Sequence, residues 1–409
     1  MKKILKAIIF LLAHSLFAGT FFSGESGLAA SFVNKKSFGL DPALVFSGFL
    51  GGQLALSKSF SVQGEFSIQT NDLYENGVSK EADSIFRLNE ISGTFTQSFL
   101  GVTHTLTVFK GYNESIGSQK FITRRLGVEN YSSLLTESYL GQNGLSAYEV
   151  FGTGGSYSVT LRNLPASFGL VVSKNSENEE KNDDDAPQLN ADLRFAAATR
   201  LLTIDMLAGL GAPLYTKNSS NEDVVLLIDT LYFHTGADIL IGNKYSTTSL
   251  FIQCGFEYLP IRKSDKSRDF SLNETYFIFE PRFKFGDARL NISIYNIPTD
   301  KINSARIVGK SLLIEETFGM DMQMYAETMY KKHRNYSAGV HCMVGFEDKH
   351  FKDIGDNDFM DKMNVKFCPF TEIEADGGKV NVLFTANMNK FADSEPGAFK
   401  LHIGYKKEF

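Results

Sequence analysis

The segment Phe399-Lys400-Leu401-His402-Ile403-Gly404-Tyr405-Lys406-Lys407-Glu408-Phe409 alternates strictly. Successive side chains of an extended strand point to opposite faces, so Phe399, Leu401, Ile403, Tyr405 and Phe409 share one face. Lys400, His402, Gly404, Lys406 and Glu408 share the other, and Lys407 is the one charge on the apolar side. Such a strand is greasy on one face and wet on the other. A soluble edge strand reads the same way, so the weight of the pattern depends on how often it recurs.

It recurs from about Val45 onward, in segments roughly ten residues long separated by Asn, Asp, Ser and Gly. In Phe60-Ser61-Val62-Gln63-Gly64-Glu65-Phe66-Ser67-Ile68-Gln69 the phase is unbroken, and Phe46 to Leu56 pairs with it across Ser57-Lys58-Ser59 as a hairpin. Leu202, Ile204, Met206 and Ala208 oppose Thr203 and Asp205; Leu250, Ile252, Cys254, Phe256 and Tyr258 oppose Ser249, Gln253 and Glu257. Phe277, Phe279, Phe283 and Phe285 oppose Glu280, Arg282 and Lys284. Phase slips near Glu90, Asp229 and Cys368-Pro369 suggest bulges. The count is sixteen strands, with fourteen and eighteen both compatible with the pattern.

A soluble β-sandwich or propeller is the competing architecture. Its outer face would be dotted with Lys and Glu, whereas here the polar faces are mostly Ser, Thr, Asn and Gln with mixed charges. The apolar faces are nearly free of charge along the whole chain, which suits contact with lipid. An all-β, antiparallel transmembrane barrel over 45–409 is therefore expected, its last strand ending at Phe409.

The remaining composition agrees. Charged residues make up 22% of the 409 residues and hydrophobic ones 43%, values that exclude a bundle of membrane helices but not a barrel, half of whose strand residues face water. A net charge of -6 argues against a nucleic-acid partner. Lys2, Lys3 and Lys6 precede the apolar run Ala7 to Phe17, which reads as a secretory signal peptide over 1–18, with cleavage around Ala29 and Ala30 as the other option. Residues 19–44 would then be a periplasmic lead-in. Cys254, Cys342 and Cys368 are too widely spaced for a disulfide framework or a metal site and read as small apolar residues. No cofactor is implied.

An alternating last strand that stops on Phe resembles the closing strand of bacterial outer-membrane β-barrel proteins, and Lys407 departs from that pattern. The order of early hairpin, Gly-rich turn and long folded loop is similar to general porins, a likeness of organisation that carries no subfamily motif. It implies residence in the bacterial cell outer membrane among outer-membrane lipid, a channel for small hydrophilic solutes, and a homotrimer, while the lack of a Gly-x-Ser-x-Gly, a His-Glu-x-x-His or a Gly-rich phosphate loop in the sequence makes an enzyme the less expected reading. Short links such as Ser57 to Ser59 and Asn163 to Pro165 would be periplasmic turns, and long ones such as Ser173 to Gln188 would face outward.

The longest loop, 113–153, mixes Lys120, Arg124 and Arg125 with Phe121, Ile122 and Leu126. A loop this amphipathic suits folding into the lumen, where it would narrow the pore; packing on its neighbours outside is the alternative. With the strand residues Arg162, Arg194, Glu257, Glu280, Arg282, Lys284 and Arg289, its three basic residues form the expected pore lining. Glu280 beside Arg282 and Lys284 would either set a field across the pore or neutralise each other. Functional alternatives are a substrate-specific transporter for a hydrophobic substrate, as in fatty-acid-type barrels, or a surface adhesin using the acidic loop Glu177 to Asp185.

Overall fold

A ribbon with one face for lipid and one for water is satisfied only when the sheet closes, because an open edge in a bilayer leaves backbone groups without partners. The computed structural model shows that closure. It describes residues 21–34, 42–70, 72–73, 85–113, 116, 121–128, 150–161, 163–175, 187–217, 223–227, 230–243, 245–262, 269–297, 316–330, 334–375, 377–392 and 395–409. The strands are β1 (Phe21–Asn34), β2 (Pro42–Ala55), β3 (Phe60–Gln69), β4 (Ile85–Phe99), β5 (Val102–Asn113), β6 (Val150–Leu161), β7 (Ala166–Asn175), β8 (Gln188–Ala198), β9 (Leu202–Pro213), β10 (Tyr215–Lys217), β11 (Asp223–Leu227), β12 (Leu231–Ile241), β13 (Thr248–Arg262), β14 (Thr275–Phe285), β15 (Ala288–Asn296), β16 (Phe318–Tyr330), β17 (Arg334–Phe346), β18 (Met363–Ala375), β19 (Gly378–Asn387) and β20 (Phe399–Glu408).

Eighteen of these form one antiparallel sheet in which each strand pairs with its chain neighbours, and β10 and β11 make a separate two-stranded ribbon between β9 and β12. β1 pairs with β2 on one side and with β20 on the other, so no edge is left. Phe409 completes the seam: its N–H donates to the Gly24 carbonyl at 2.8 Å, the Gly24 N–H donates back at 2.7 Å, and its ring stacks on Phe22 at 5.6 Å.

The barrel thus has eighteen strands where the pattern suggested sixteen, and it begins at Phe21, within the expected lead-in 19–44. β1 escapes the alternation rule because Gly24, Ser26, Gly27, Ala29 and Ala30 give neither face a character. Cleavage near Ala29 would cut this strand in two. The slip at Glu90 is a bulge, with the register shifting between Glu65 and Phe66 and Asn89 as the extra residue. Asp229 lies outside the described residues. At Cys368-Pro369 the register runs straight through, because Pro369 omits a ladder hydrogen bond without adding a residue. A bulge the sequence hid lies in β13, where Glu257 and Tyr258 together oppose His234. It turns Tyr258 inward, onto Tyr232 at 4.8 Å, rather than outward with Phe256.

Outward positions carry a continuous exposed apolar belt that includes Leu50, Phe66, Leu106, Leu170, Phe279 and Met322. Inward positions carry most of the Ser, Thr, Asn, Gln and charged residues, with buried apolar side chains such as Leu240, Phe251, Ile278 and Met343 among them. Ile252 sits mid-wall on the outside, beside Ile239 and Phe279. Ile252→Lys is expected to cost about 2 to 4 kcal/mol of unfolding free energy in lipid vesicles, the penalty for a cation at bilayer depth. No loss in a urea titration would show that this face does not meet lipid.

Candidate functional site: the lumen

Eighteen strands of wall enclose a space wide enough for an aqueous channel unless something fills it. Part of the connection between β5 and β6 does so. Ile122–Leu126 forms one short helical turn, stopped by Gly127 in the left-handed conformation at φ 71°. Ile122 is fully buried in one cluster with Ala198, Leu240, Phe251, Ile278, Tyr295, Met343, Cys368 and Leu383, the inward residues of β8, β12 to β15 and β17 to β19. Leu126 and Val128 pack against that cluster. Ile116 and Phe121 pack on Ala196, again inward on β8. Gly169 on β7 leaves the space for this: a Cβ there would stand 2.0 Å from Ile116 Cδ1. The expected entry of the loop into the lumen therefore holds for residue 116 and for 121–128.

Beside the apolar cluster the same wall carries buried ionic pairs. Arg282 Nε donates to Glu280 Oε1 at 2.6 Å, Ser293 Oγ donates to Glu280 Oε2 at 2.5 Å, and the guanidinium lies 5.3 Å over the Phe251 ring. His341 Nδ1 meets Asp321 Oδ2 at 2.8 Å, and Lys366 Nζ meets Glu316 Oε1 at 2.8 Å. On β8 and β12, His234 Nε2 lies 2.9 Å from Asp192 Oδ1, with Arg194 3.8 Å from the other carboxylate oxygen. The His234 contact crosses an intervening strand, which is possible because Gly209 stands between the two: a Cβ there would be 2.2 Å from the imidazole. These charges neutralise one another locally, so this part of the wall is a scaffold against which the loop packs.

The opposite wall, β2 to β7, is different. Gln53, Gln63, Ser92, Thr94, Thr105, Thr107, Ser156 and Ser158 border a cavity of about 260 Å³ whose other side is Asn113, Ile116, Phe121 and Arg125. Glu90 is the one carboxylate on this lining and Arg125 the one guanidinium. Glu90 accepts hydrogen bonds from Gln63 Nε2 at 2.8 Å and Ser92 Oγ at 2.9 Å. Arg125 Nη2 donates to Thr96 Oγ1 at 3.4 Å, tying the loop to β4. The loop thus divides the lumen, apolar and ionic on one side, and on the other mostly hydroxyl and amide beside the small apolar cluster of Phe109, Val150 and Val171.

Of the residues expected to line the pore, Arg125 borders the cavity. Arg194, Glu257, Glu280, Arg282, Lys284 and Arg289 do face inward, but Arg194, Glu280, Arg282 and Arg289 are buried in the packed wall. Glu280 and Arg282 neutralise each other rather than setting a field across the pore. Arg289 pairs with Glu327 at 3.2 Å. Arg124 lies on the helical turn, and Lys120 and Arg162 fall outside the described residues, as does the acidic loop 177–185. Glu90 was missed because the Asn89 bulge shifts the phase of β4.

A closed antiparallel barrel with an exposed apolar belt outside and most of its polar side chains inside is the architecture of a transmembrane β-barrel, and this chain has that architecture. No helix among the described residues is long and apolar enough to cross a membrane. No protein-family model and no curated protein sequence matches the chain. Solved structures that it is similar to include a multiple mutant of Rh. blastica porin (11% identity over 95% of this chain and 100% of that one, TM-score 0.43). Wzi, an outer membrane protein involved in group 1 capsule assembly in Escherichia coli, aligns at 10% identity over 99% and 87%, with a TM-score of 0.46. CdiB from Acinetobacter baumannii aligns at 7% over 95% of this chain but 60% of its own length, with a TM-score of 0.43. Likeness this distant adds nothing to what the strand pairing and the lining residues establish.

Proposed function

We propose that the barrel is a passive pore through which small hydrophilic solutes cross the bacterial outer membrane, passing along the β2 to β7 side of the lumen. The observation that carries this reading is the cavity beside the inserted loop, bordered by hydroxyl and amide groups. Such groups exchange hydrogen bonds with a passing hydrated solute without holding it, as a diffusive path needs. The apolar residues of the lumen favour no hydrophobic cargo, because they are packed against the loop rather than left open. β1 lies in the wall, so residues 21–34 do not serve as a plug.

The reading includes export through a signal peptide ending near Ala18, which leaves β1 whole, and the homotrimer implied by the porin resemblance; crosslinking in detergent to a threefold mass tests the latter. The central test is conductance of the refolded protein in a planar bilayer. Discrete openings are expected, together with swelling of vesicles in isotonic solutions of small neutral sugars. A silent bilayer with correctly folded protein would reject the pore.

A further inference from the structure

In three connections at the long-loop end, the described residues lie against the outer face of the wall. In the connection between β17 and β18, Phe351 packs edge-on against Phe277 at 6.0 Å and Phe318 at 6.2 Å, and Phe359 stacks on Phe346 at 4.1 Å. Phe277, Phe318 and Phe346 all belong to one outward row, in register with Asn296. The Phe351 N–H donates to Asn296 Oδ1 at 3.0 Å, so the connection also covers a polar side chain on the lipid-facing wall. In the connection after β13, Phe270 meets the outward Phe256 edge-on at 6.3 Å. In the short helix Met388–Ala392, Phe391 meets the outward Phe399 at 5.4 Å.

Phe359 is buried against the wall, whereas the other rings touch it and stay exposed: Phe351 is 59% exposed, Phe391 45% and Phe270 40%, beside Met360 at 61% and Leu272 at 54%. The β17 to β18 connection is ionic as well, with Lys349 Nζ 2.7 Å from Asp358 and 3.5 Å from Asp356. An apolar surface of this extent is unfavourable in water and, with charges beside it, suits the boundary between acyl chains and head groups.

We propose that these three connections form a collar seated in the head-group zone of the leaflet at the long-loop end, with lipid as its occupant. The collar continues the exposed belt of the wall directly, above Phe279, Met320 and Ile403. Its described parts are spread along the outside from β13 to β20, eight consecutive strands of a closed and therefore convex wall. One flat contact with a second copy would cover a part of that arc, whereas lipid wets all of it. Phe takes the interfacial place that Trp holds in other membrane proteins, since the chain contains 36 Phe and no Trp. The proposal rests on the barrel's residence in a membrane and is independent of whether it conducts.

The lack of Trp supplies the test. Phe270→Trp, Phe351→Trp and Phe391→Trp each place a single reporter in the full-length protein, refolded into phosphatidylcholine vesicles and checked for folding by heat-modifiable gel migration. Phe279→Trp serves as the mid-wall reference. Blue-shifted emission is expected from all three, more than halved by lipid brominated near the head group and little changed by iodide on both sides of the membrane. Quenching by iodide and not by brominated lipid places the collar in water and overturns the proposal. Shielding from both quenchers makes a second copy the occupant and overturns it equally.

Discussion

Replacing Ile122 with aspartate is expected to raise single-channel conductance several-fold. Ile122 is completely buried in the cluster formed by inward residues of β8, β12 to β15 and β17 to β19, and it anchors the inserted segment to that wall. A carboxylate in the same place would have to be desolvated without a partner, at a cost of several kcal/mol, more than the docking of one short segment can absorb. The segment leaves its seat, the division of the lumen is lost, and current flows through the full section of the barrel. Gly169→Val reaches the same end from the wall, since any Cβ there collides with Ile116 and stands 2.8 Å from the Tyr157 carbonyl. Unchanged conductance in both folded variants would show that residues 116 and 121–128 do not narrow the pore.

The barrel was legible because its physics is local. Phe60 to Gln69 alternates without interruption, and a strand that meets lipid on one face and water on the other must be written that way residue by residue. Glu90 shows how far such reading goes: the slip was visible, and it correctly announced a bulge, but which side chains would face the lumen beyond it was not. β1 was illegible for the opposite reason, since its small residues fit either face and its membership is fixed by the partners β2 and β20.

The lumen was legible in outline only. That Arg194, Glu280 and Arg282 point inward follows from phase, and the structure agrees. Which of them meets a solute depends on where the loop lies, and that choice is made by Ile116, Phe121 and Ile122 against residues up to 261 positions away, such as Leu383. His234 and Asp192 carry no shared sequence signal either, because Gly209, on the strand between them, creates the contact.

Arg282→Leu tests the assignment of the packed wall to scaffold rather than filter. Glu280 is fully buried and Arg282 nearly so, and removing the cation leaves the carboxylate desolvated beside Ser293 without its 2.6 Å partner. A loss of about 3 to 5 kcal/mol is expected, read as a lower urea midpoint and a lower temperature of heat-modifiable migration, because breaking a buried pair costs more than the pair contributes. The double variant Glu280→Leu, Arg282→Leu is expected to recover most of that loss, since two apolar side chains beside Phe251 leave no charge of this pair to desolvate. Channel ion selectivity should stay the same in the double variant, because neither residue borders the hydroxyl and amide cavity. A single-variant loss below about 1 kcal/mol would mean that the pair behaves like an exposed one. A shift in selectivity with stability intact would return Glu280 and Arg282 to the pore lining and move the solute path to this side of the lumen.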